Sequence, residues 1–531
     1  SLTEGLTLTK YNQIINNVFK NLPDLNEWYP SEISKFFDHV SWKESIIKIH
    51  KEDIAKIKDT KYFKRLVFDE IFANFLLSSD IRNKIKKIKK KNKVFNSKHQ
   101  STIINNLKFN LTIDQTKALE KINKDMKSKQ KMFRLLQGDV GSGKTIVSVI
   151  AALNAVKAGY QVAIMAPTEI LANQHYKYII NNFKKYCNSE ILTGKTEYRQ
   201  RKKILNDLLN KKIDVLIGTH ALFQNKITYN NLGLIIIDEQ HKFGVNQRKK
   251  LSDKGGNNCD VLVMSATPIP RTMMMTIYGD MDISLIKSKP KNRKPIKTYS
   301  KNETKIDEVI KFIKSEILKK NQIFWVCPLI KESQKIDHQS AIEKYKYLSK
   351  ILKYNVDIIH GSMNKDEREN VLNKFKEKKI DILVSTTVIE VGIDFPNANV
   401  IVIENSNKYG LSQLHQLRGR VGRGEREASC ILLFKAGLSE NARKRITILK
   451  NTNDGFKVAE EDLKIRGYGD ILGFKQSGLK KYNLADPLKH KDLFDLAEAH
   501  IKKIEKNNIE IIKYNKLLRL YDKVAVINDA I

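Results

Sequence analysis

The sequence predicts an α/β protein built on two tandem parallel sheets, with a helical region ahead of them and a helical hairpin and loop behind. Three observations carry that prediction. From residue 138 onward, short apolar runs alternate with helical segments, the pattern of parallel sheets covered on both faces. The runs end in clusters of polar residues, and open α/β sheets bind ligands at the carboxyl ends of their strands. Gly138 to Thr145 fits G-x-x-x-x-G-K-[ST], the phosphate-binding P-loop, which occurs in the first series of runs and is missing from the second.

At 531 residues the chain is too long for one core, so three or four domains are expected. The patterning places a helical region at 1–98, a nucleotide-binding unit at 99–289, a second sheet unit at 290–440 and a C-terminal segment at 441–531. A hydrophobic content of 41% suffices for globular folding. The formal net charge of +37 points to a polyanionic partner, most simply nucleic acid. Heavy use of Lys, Asn and Ile also suits an AT-rich genome, so charge alone does not choose between partner and codon bias. Cys187, Cys259, Cys327 and Cys430 are far apart and form no C-x-x-C, which argues against a zinc site or disulfide framework and fits a reducing, cytoplasmic compartment. No apolar run is long enough to span a bilayer, so no membrane role is expected. The chain starts at Ser1 without an initiator Met and reads as a fragment.

In chain order, Tyr62–Leu77 carries apolar and aromatic residues at helical spacing and predicts a core-facing helix. The basic run Lys84–Lys93 reads as a solvated helix end or linker. Phe109 and Gln115 precede the P-loop by one short helix. Gln115 is spaced to hydrogen-bond an adenine edge and Phe109 to pack on the ring, while Thr112 reads as a helix N-cap. In the P-loop, Gly138, Gly141 and Gly143 let the backbone curl and aim N–H groups inward, with Ser142 among them. Apolar residues after Thr145 predict a helix whose N-terminus favours phosphate. Lys144 is placed to reach the phosphates of ATP and Thr145 to ligate Mg²⁺.

Strands are predicted at 161–165, 213–217, 232–237 and 261–264, then at 322–327, 356–359, 380–384 and 400–403. Asp238, after the third run, is placed to hold Mg²⁺, and Glu239 to activate the attacking water. In the second series, Gln413–Gly424 sets Arg418, Arg420 and Arg423 among glycines. Arginines so spaced can stabilise charge on a γ-phosphate held by the other unit, with a DNA-backbone role as the competing reading for Arg418. Two such sheets make a cleft that ATP closes and hydrolysis opens, the layout of a motor.

The motifs from Phe109 to Gly424 resemble those of superfamily 2 helicases. Leu136–Thr145, Met165–Glu169, Asp238–His241, Ala266–Thr272, Thr387–Gly392 and Gln413–Arg423 are similar to those of the RecG family of bacterial ATP-dependent DNA helicases. Thr452–Phe456, Ala459–Leu463, Arg466–Gly467 and Gln476–Gly478 resemble the TRG motif, which that family shares with transcription-repair coupling factor. Lys242, Tyr468 and Lys475 depart from the family pattern, and the family's N-terminal wedge domain is missing ahead of Leu2–Leu6. The resemblance implies two tandem RecA-like helicase domains and an ATP-dependent translocase on double-stranded and branched DNA, active in repair and recombination. It further implies that Gln240 and Thr267 transmit nucleotide state, and that Thr168, Thr219, His360 and Thr387 contact the phosphate backbone. Arg466 and Gln476 would couple ATPase movement to translocation. A bacterial cytoplasmic monomer, with single-stranded DNA-binding protein as a partner, is the matching expectation. A transcription-coupled repair translocase, a non-enzymatic DNA scaffold and an RNA helicase are the alternatives.

Overall fold

The computed structural model describes residues 7–51, 57–58, 60–223, 227–239, 256–270, 273–274, 278–290, 293–328, 334–386, 395–424, 426–466, 482–507, 509 and 511–521. The chain divides into two compact units. One holds residues 85–270 and 281–467, the other 1–84, 271–280 and 468–531.

The larger unit contains both sheets. The first has seven strands: β1 (Phe133–Gly138), β2 (Gln161–Met165), β3 (Ser189–Leu192), β4 (Val215–Gly218), β5 (Leu232–Ile237), β6 (Asp260–Ser265) and β7 (Asp282–Ile286), in the order β3-β4-β2-β5-β6-β1-β7. Every pairing is parallel, so the carboxyl ends share one edge. The second sheet has β8 (Lys297–Asn302), β9 (Gln322–Val326), β10 (Val356–Ile359), β11 (Ile382–Ser385), β12 (Ala398–Ile403) and β13 (Ser429–Phe434), in the order β10-β11-β9-β12-β13-β8, again all parallel. Strand for strand, β8–β13 repeat the order of β1–β6.

The apolar runs are explained by burial on both faces. Along β9, Ile323 and Trp325 enter one core while Phe324 and Val326 enter the other. Side chains alternate across a strand, so a strand covered twice must be apolar at every position. The predicted runs correspond to β2, β4, β5, β6, β9, β10, β11 and β12, with ends moved by up to two residues. Five further strands, β1, β3, β7, β8 and β13, were not predicted. β3 is four residues long, and β8 (KTYSKN) is a polar edge strand with Lys297 and Tyr299 exposed.

The helix after the P-loop, Lys144–Lys157, is buried on nearly all sides. Thr112 caps the helix Ile113–Lys127 through a capping box with Gln115. The reading of the basic run Lys84–Lys93 as a solvated helix end or linker is corrected at two positions. Lys90 and Lys93 are fully buried at the side chain, and both pair with Asp260 at the start of β6, at 2.6 and 2.7 Å. Asp260 also accepts the N–H of Met132 at 2.8 Å. One buried carboxylate recruits two lysines from a run that composition alone marks as solvated.

In the smaller unit, the helix Lys61–Lys87 is the predicted core-facing helix, and Leu66–Leu77 are buried along it. Phe68, Phe72 and Phe75 pack with Phe494, Tyr514 and Leu517, so the two ends of the chain share one core. Fully burying each such side chain is worth about 1.5–3 kcal/mol. Glu70 joins the ends by accepting the N–H groups of Asn483, Leu484 and Ala485 at 2.6, 2.8 and 2.9 Å. The four cysteines are buried and free. Among the described residues no helix is long and apolar enough to cross a membrane.

Candidate active site

β1 delivers Gly138 to the carboxyl edge of the first sheet, and the loop turns there. Gly141 and Gly143 hold φ of +73° and +82°, a region glycine enters without strain. Gly138 has no room for a side chain, since a Cβ there would lie 2.4 Å from Ser142 Oγ. The buried Ser142 hydroxyl has no protein partner. Lys144 is 8% exposed, and its Nζ donates to the carbonyls of Gly138 and Asp139 at 2.7 and 3.0 Å. Burial pushes the Lys144 ammonium down from its ordinary pKa, against the pull of Glu239, Asp238 and Asp139.

The amide of Gln115 serves two backbones. Its Oε1 accepts from Thr112 N at 2.8 Å, and its Nε2 donates to Ser142 O at 2.8 Å, bracing the P-loop against the preceding helix. Phe109 is 43% exposed, open enough to meet a ring.

β5 delivers Asp238 and Glu239. His175, on the helix Glu169–Phe183, bonds Asp238 Oδ2 through Nε2 at 2.9 Å. Burial alone would raise the Asp238 pKa, but the His175 bond and the Lys144 charge hold it below its usual value. Glu239 goes the other way, raised by burial and by the neighbouring Asp238 carboxylate. The two neighbouring acids are thus pushed in opposite directions by their surroundings, as at sites where acids take different roles. Glu239 sits at φ +51°, an unfavourable conformation for a non-glycine residue and one that recurs where function sets the backbone. Asp238 and Thr145 together offer a carboxylate and a hydroxyl, the hard oxygen donors that Mg²⁺ takes alongside nucleotide phosphates. Where β6 ends, Ser265 and Thr267 bond each other at 2.9 Å, and Gln137 donates to Thr267 O at 3.1 Å.

The loop after helix Leu411–Arg418 brings Arg420 to the same place. Arg420 is 8% exposed, and its charge acts on Glu239. Arg423 donates to Gly419 O at 3.4 Å from the loop that follows helix Leu411–Arg418. A Cβ on Gly419 would lie 3.0 Å from Val140 Cγ1, so the P-loop packs directly on this segment.

A hydrogen-bonded relay leaves the P-loop here. Asp139 Oδ1 meets His415 Nε2 at 2.7 Å, and Arg418 Nη2 meets His415 Nδ1 at 2.9 Å. Arginine only donates, so Nδ1 must accept and the neutral imidazole gives its Nε2–H to Asp139. Burial lowers the His415 pKa, consistent with that neutral form. Burial would raise the Asp139 pKa, but the His415 bond and Lys289, 2.8 Å from Oδ2, hold it well below the carboxylate range. Arg418 then donates to the carbonyls of Leu449 and Thr452 at 2.6 and 2.8 Å. Arg418 is therefore buried and internally committed, which removes the DNA-backbone reading for it. Gly455 lies against the relay, since a Cβ there would come 2.6 Å from Asp139 Oδ1 and 2.8 Å from His415 Nε2. Arg466 pairs with Asp462 at 3.0 Å and lies over Gly410, where a Cβ would be 1.5 Å from its Nη2. Asp462 accepts the Ser412 hydroxyl at 2.6 Å, which ties helix Gly455–Arg466 to helix Leu411–Arg418.

The remaining predicted residues divide. Thr168 caps helix Glu169–Phe183 by accepting from Leu171 N at 3.3 Å. Thr219 follows β4, and His360 follows β10 with its Nδ1 2.8 Å from Ser362 Oγ. Gln240, Thr387 and Gln476 lie outside the described residues, as do Lys242, Tyr468 and Lys475. Sequence reasoning did not single out His175, Asp139, His415 or Lys289. Asp139 and His415 stand inside the two quoted motifs, and a buried charge partner was the signal they lacked.

Three family models, several curated proteins and a solved structure match the chain. The DEAD/DEAH box helicase model matches residues 112–276, the helicase conserved C-terminal domain model 304–425, and the model described as ATP-dependent DNA helicase RecG, domain 3, C-terminal matches 452–520. The chain is 44% identical over 460 residues to ATP-dependent DNA helicase RecG of Thermotoga maritima, covering 86% of this chain and 59% of that protein. It is 41% identical over 492 residues to the Bacillus subtilis protein of the same name, covering 92% of this chain and 72% of that one. A solved structure of RecG bound to a three-way DNA junction matches with a TM-score of 0.71 and 40% identity, over 93% of this chain and 65% of that chain. The chain thus spans well under two thirds of the Thermotoga protein's length. On these matches, with one sheet carrying a P-loop and the other its arginines, the chain belongs to the RecG family of ATP-dependent DNA helicases.

Proposed function

We propose that this chain is the ATP-driven motor of a double-stranded DNA translocase, and that with the rest of a full-length protein it remodels branched DNA, Holliday junctions and stalled forks, in recombination and repair. The observation that carries the reading is the continuous path from the P-loop through Asp139, His415 and Arg418 to the carbonyls of Leu449 and Thr452. It joins the phosphate cradle to the C-terminal segment that matches the RecG domain 3 model.

In this reading residues 99–289 bind ATP, 290–440 complete the site, 441–531 couple it to DNA, and 1–98 form the helical lead-in. Lys144 and the P-loop amides of Gly141–Thr145 hold the phosphates, Phe109 receives the adenine, and Gln115 reads its edge by exchanging its bond to Ser142 O for one to the ring. Asp238 and Thr145 would hold Mg²⁺, which supplies charge neutralisation on the phosphates when bound. Glu239 takes the proton of the attacking water as its oxygen bonds to the γ-phosphorus and the bond to the ADP oxygen breaks. Arg420 and Arg423 stabilise the charge that moves onto the leaving and transferring oxygens. Thr267 and Gln240 report the nucleotide to the second unit. Thr168, Thr219, His360 and Thr387 contact the DNA backbone, so binding is insensitive to sequence and sensitive to salt. Arg466 and Gln476 pass the motion on. The protein works as a monomer in the bacterial cytoplasm, with single-stranded DNA-binding protein as a partner.

The test is steady-state ATP hydrolysis by the chain without nucleic acid and with linear duplex, a three-way junction or single-stranded RNA. Equal stimulation by duplex and junction is the expected result. Stimulation by RNA alone overturns the DNA assignment. Absence of hydrolysis under all four conditions overturns the reading of this chain as a self-sufficient motor.

A further inference from the structure

Arg293 lies between β7 and β8, on the connection that carries the chain from the first sheet to the second. In sequence it is one of 96 basic residues and nothing sets it apart. In space it returns to the P-loop. Its Nη1 donates to the carbonyl of Val140 at 2.8 Å. Its guanidinium occupies the space beside Gly141, where a Cβ would lie 1.1 Å from Nη1 and 2.3 Å from Cζ. It lines a cavity of about 370 Å³ with Asp139, Lys289 and His415.

The placement is more specific than anchoring requires. In a P-loop the N–H groups from the fourth position onward point at the phosphate chain, and Gly141 is that fourth position. A guanidinium packed on Gly141 therefore stands beside the turn that carries those N–H groups. It also stands close enough to Lys144 for its charge to disfavour the ammonium, and arginine does not relieve such repulsion by losing its proton. An anion placed between this guanidinium and the P-loop lysine is attracted by both charges. Arginine is also the side chain whose planar fork matches phosphate oxygens in pairs.

We propose that Arg293 is a further phosphate-contacting residue of the nucleotide site, a guanidinium supplied by the inter-sheet connection that binds the terminal phosphate of ATP and makes the connection sensitive to triphosphate over diphosphate. The proposal rests on the ATP-binding reading above. A bond made with the triphosphate and lost with the diphosphate biases the connection by the difference between the two affinities. That gives the second sheet a report of the γ-phosphate separate from Arg420 and Arg423.

The experiment compares the full chain with Arg293→Gln and Arg293→Lys. Binding of a non-hydrolysable ATP analogue and of ADP is measured by fluorescence titration with Mg²⁺ present, alongside kcat, KM and Tm. Arg293→Gln is expected to weaken the analogue roughly 10- to 100-fold, the size of a lost charge-assisted bond, and to leave ADP within a few-fold of the unmodified chain. Arg293→Lys, which keeps the charge and loses the fork, should recover part of the loss. Equal weakening of both nucleotides, or a lower Tm with the ratio of affinities unchanged, overturns the proposal and leaves Arg293 a structural anchor. Lys144→Ala separates the two levels of inference. If that variant binds both nucleotides normally, the ATP-site reading itself has failed, whatever Arg293 does.

Discussion

The two sheets share a strand order, and the comparison is closest where β5 and β12 end. β5 is followed by Asp238 and by Glu239 at φ +51°, and β12 by Glu404 and by Asn405 at φ +46°. The same backbone kink thus closes the same strand in both sheets. In the second sheet the kink falls on Asn, which tolerates the left-handed region, and the acid before it is neutralised by Lys344 at 2.8 Å. In the first sheet the kink falls on Glu, which does not favour it, and the acid before it is held by His175. A conformation that is cheap in one copy is costly in the other, and the costly copy is the one to which the proposed function gives the chemistry. In the proposed function the first sheet is thus the working copy and the second lends it charge.

The largest effects should come from removing what each sheet contributes to hydrolysis. Arg420→Ala should lower kcat by about 10³-fold, the scale of a lost arginine finger, with nucleotide affinity little changed. Glu239→Gln should lower kcat by about 10²- to 10⁴-fold, the worth of a general base. The pH profile sharpens this. A base acts deprotonated, and burial and Asp238 raise the Glu239 pKa, so kcat should rise with pH above the ordinary carboxylate range. Stopped hydrolysis assays across pH read both, and a Glu239→Gln chain that keeps the limb would reassign the base. The corresponding Asn405→Gln change in the second sheet should leave kcat within a few-fold.

The next contrast is between the two edges of the first sheet. Asp238 and Glu239 lie at the carboxyl edge, whereas Asp260 lies at the opposite edge, buried between Lys90 and Lys93. Asp260→Asn leaves two buried ammonium groups without their counter-charge, at a cost of roughly 3–5 kcal/mol. Thermal unfolding should show a large fall in Tm for this variant and little change for Arg420→Ala. An unchanged Tm for Asp260→Asn would mean that the two lysines reach water in solution.

How far the sequence carried the analysis can be judged from these same residues. The P-loop, Asp238, Glu239 and the motif arginines were legible because their chemistry needs fixed residue types at fixed spacing. Eight parallel strands were legible because burial on both faces admits only apolar residues, although β1 and the equally buried β13 (SCILLF) were passed over. β8 was not, since an edge strand with one exposed face carries a weaker pattern. Lys90 and Lys93 were misread as solvated because a lysine's burial is decided by a partner 167 to 170 residues away. The Asp139–His415 bond spans 276 residues, and no local pattern encodes it. The shared core of the chain's two ends escaped for the same reason, each end showing an apolar helix face without showing its mate.

A smaller effect should come from the relay between the sheets. Gly455→Ala drives a Cβ to 2.6 Å from Asp139 Oδ1 and 2.8 Å from His415 Nε2, so the buried pair must part. The duplex-stimulated part of ATP hydrolysis should fall by about tenfold while the unstimulated rate persists, within the usual roughly 1–3 kcal/mol range of coupling energies. Equal loss of both rates would mean that Gly455 supports the nucleotide site itself and not its link to the C-terminal helices.

The smallest effect is the proton on His415, and its sign follows from the tautomer. Neutral His415 accepts from Arg418 at Nδ1 and donates to Asp139 from Nε2. A second proton would set an N–H against a guanidinium. Burial, then the charges of Arg418 and Lys289, lower the folded pKa below 6.5, with Asp139 pulling the other way. Between the folded value and 6.5 the unfolded chain binds more protons than the folded one, so stability rises with pH through that window. The contribution is complete above 6.5 and is lost as pH falls. His415→Gln keeps a donor and an acceptor but cannot titrate, so it should flatten the decline of Tm between neutral pH and pH 5. If the variant and the parent decline in parallel, His415 is not the group that titrates, and the link between the two sheets is insensitive to acid.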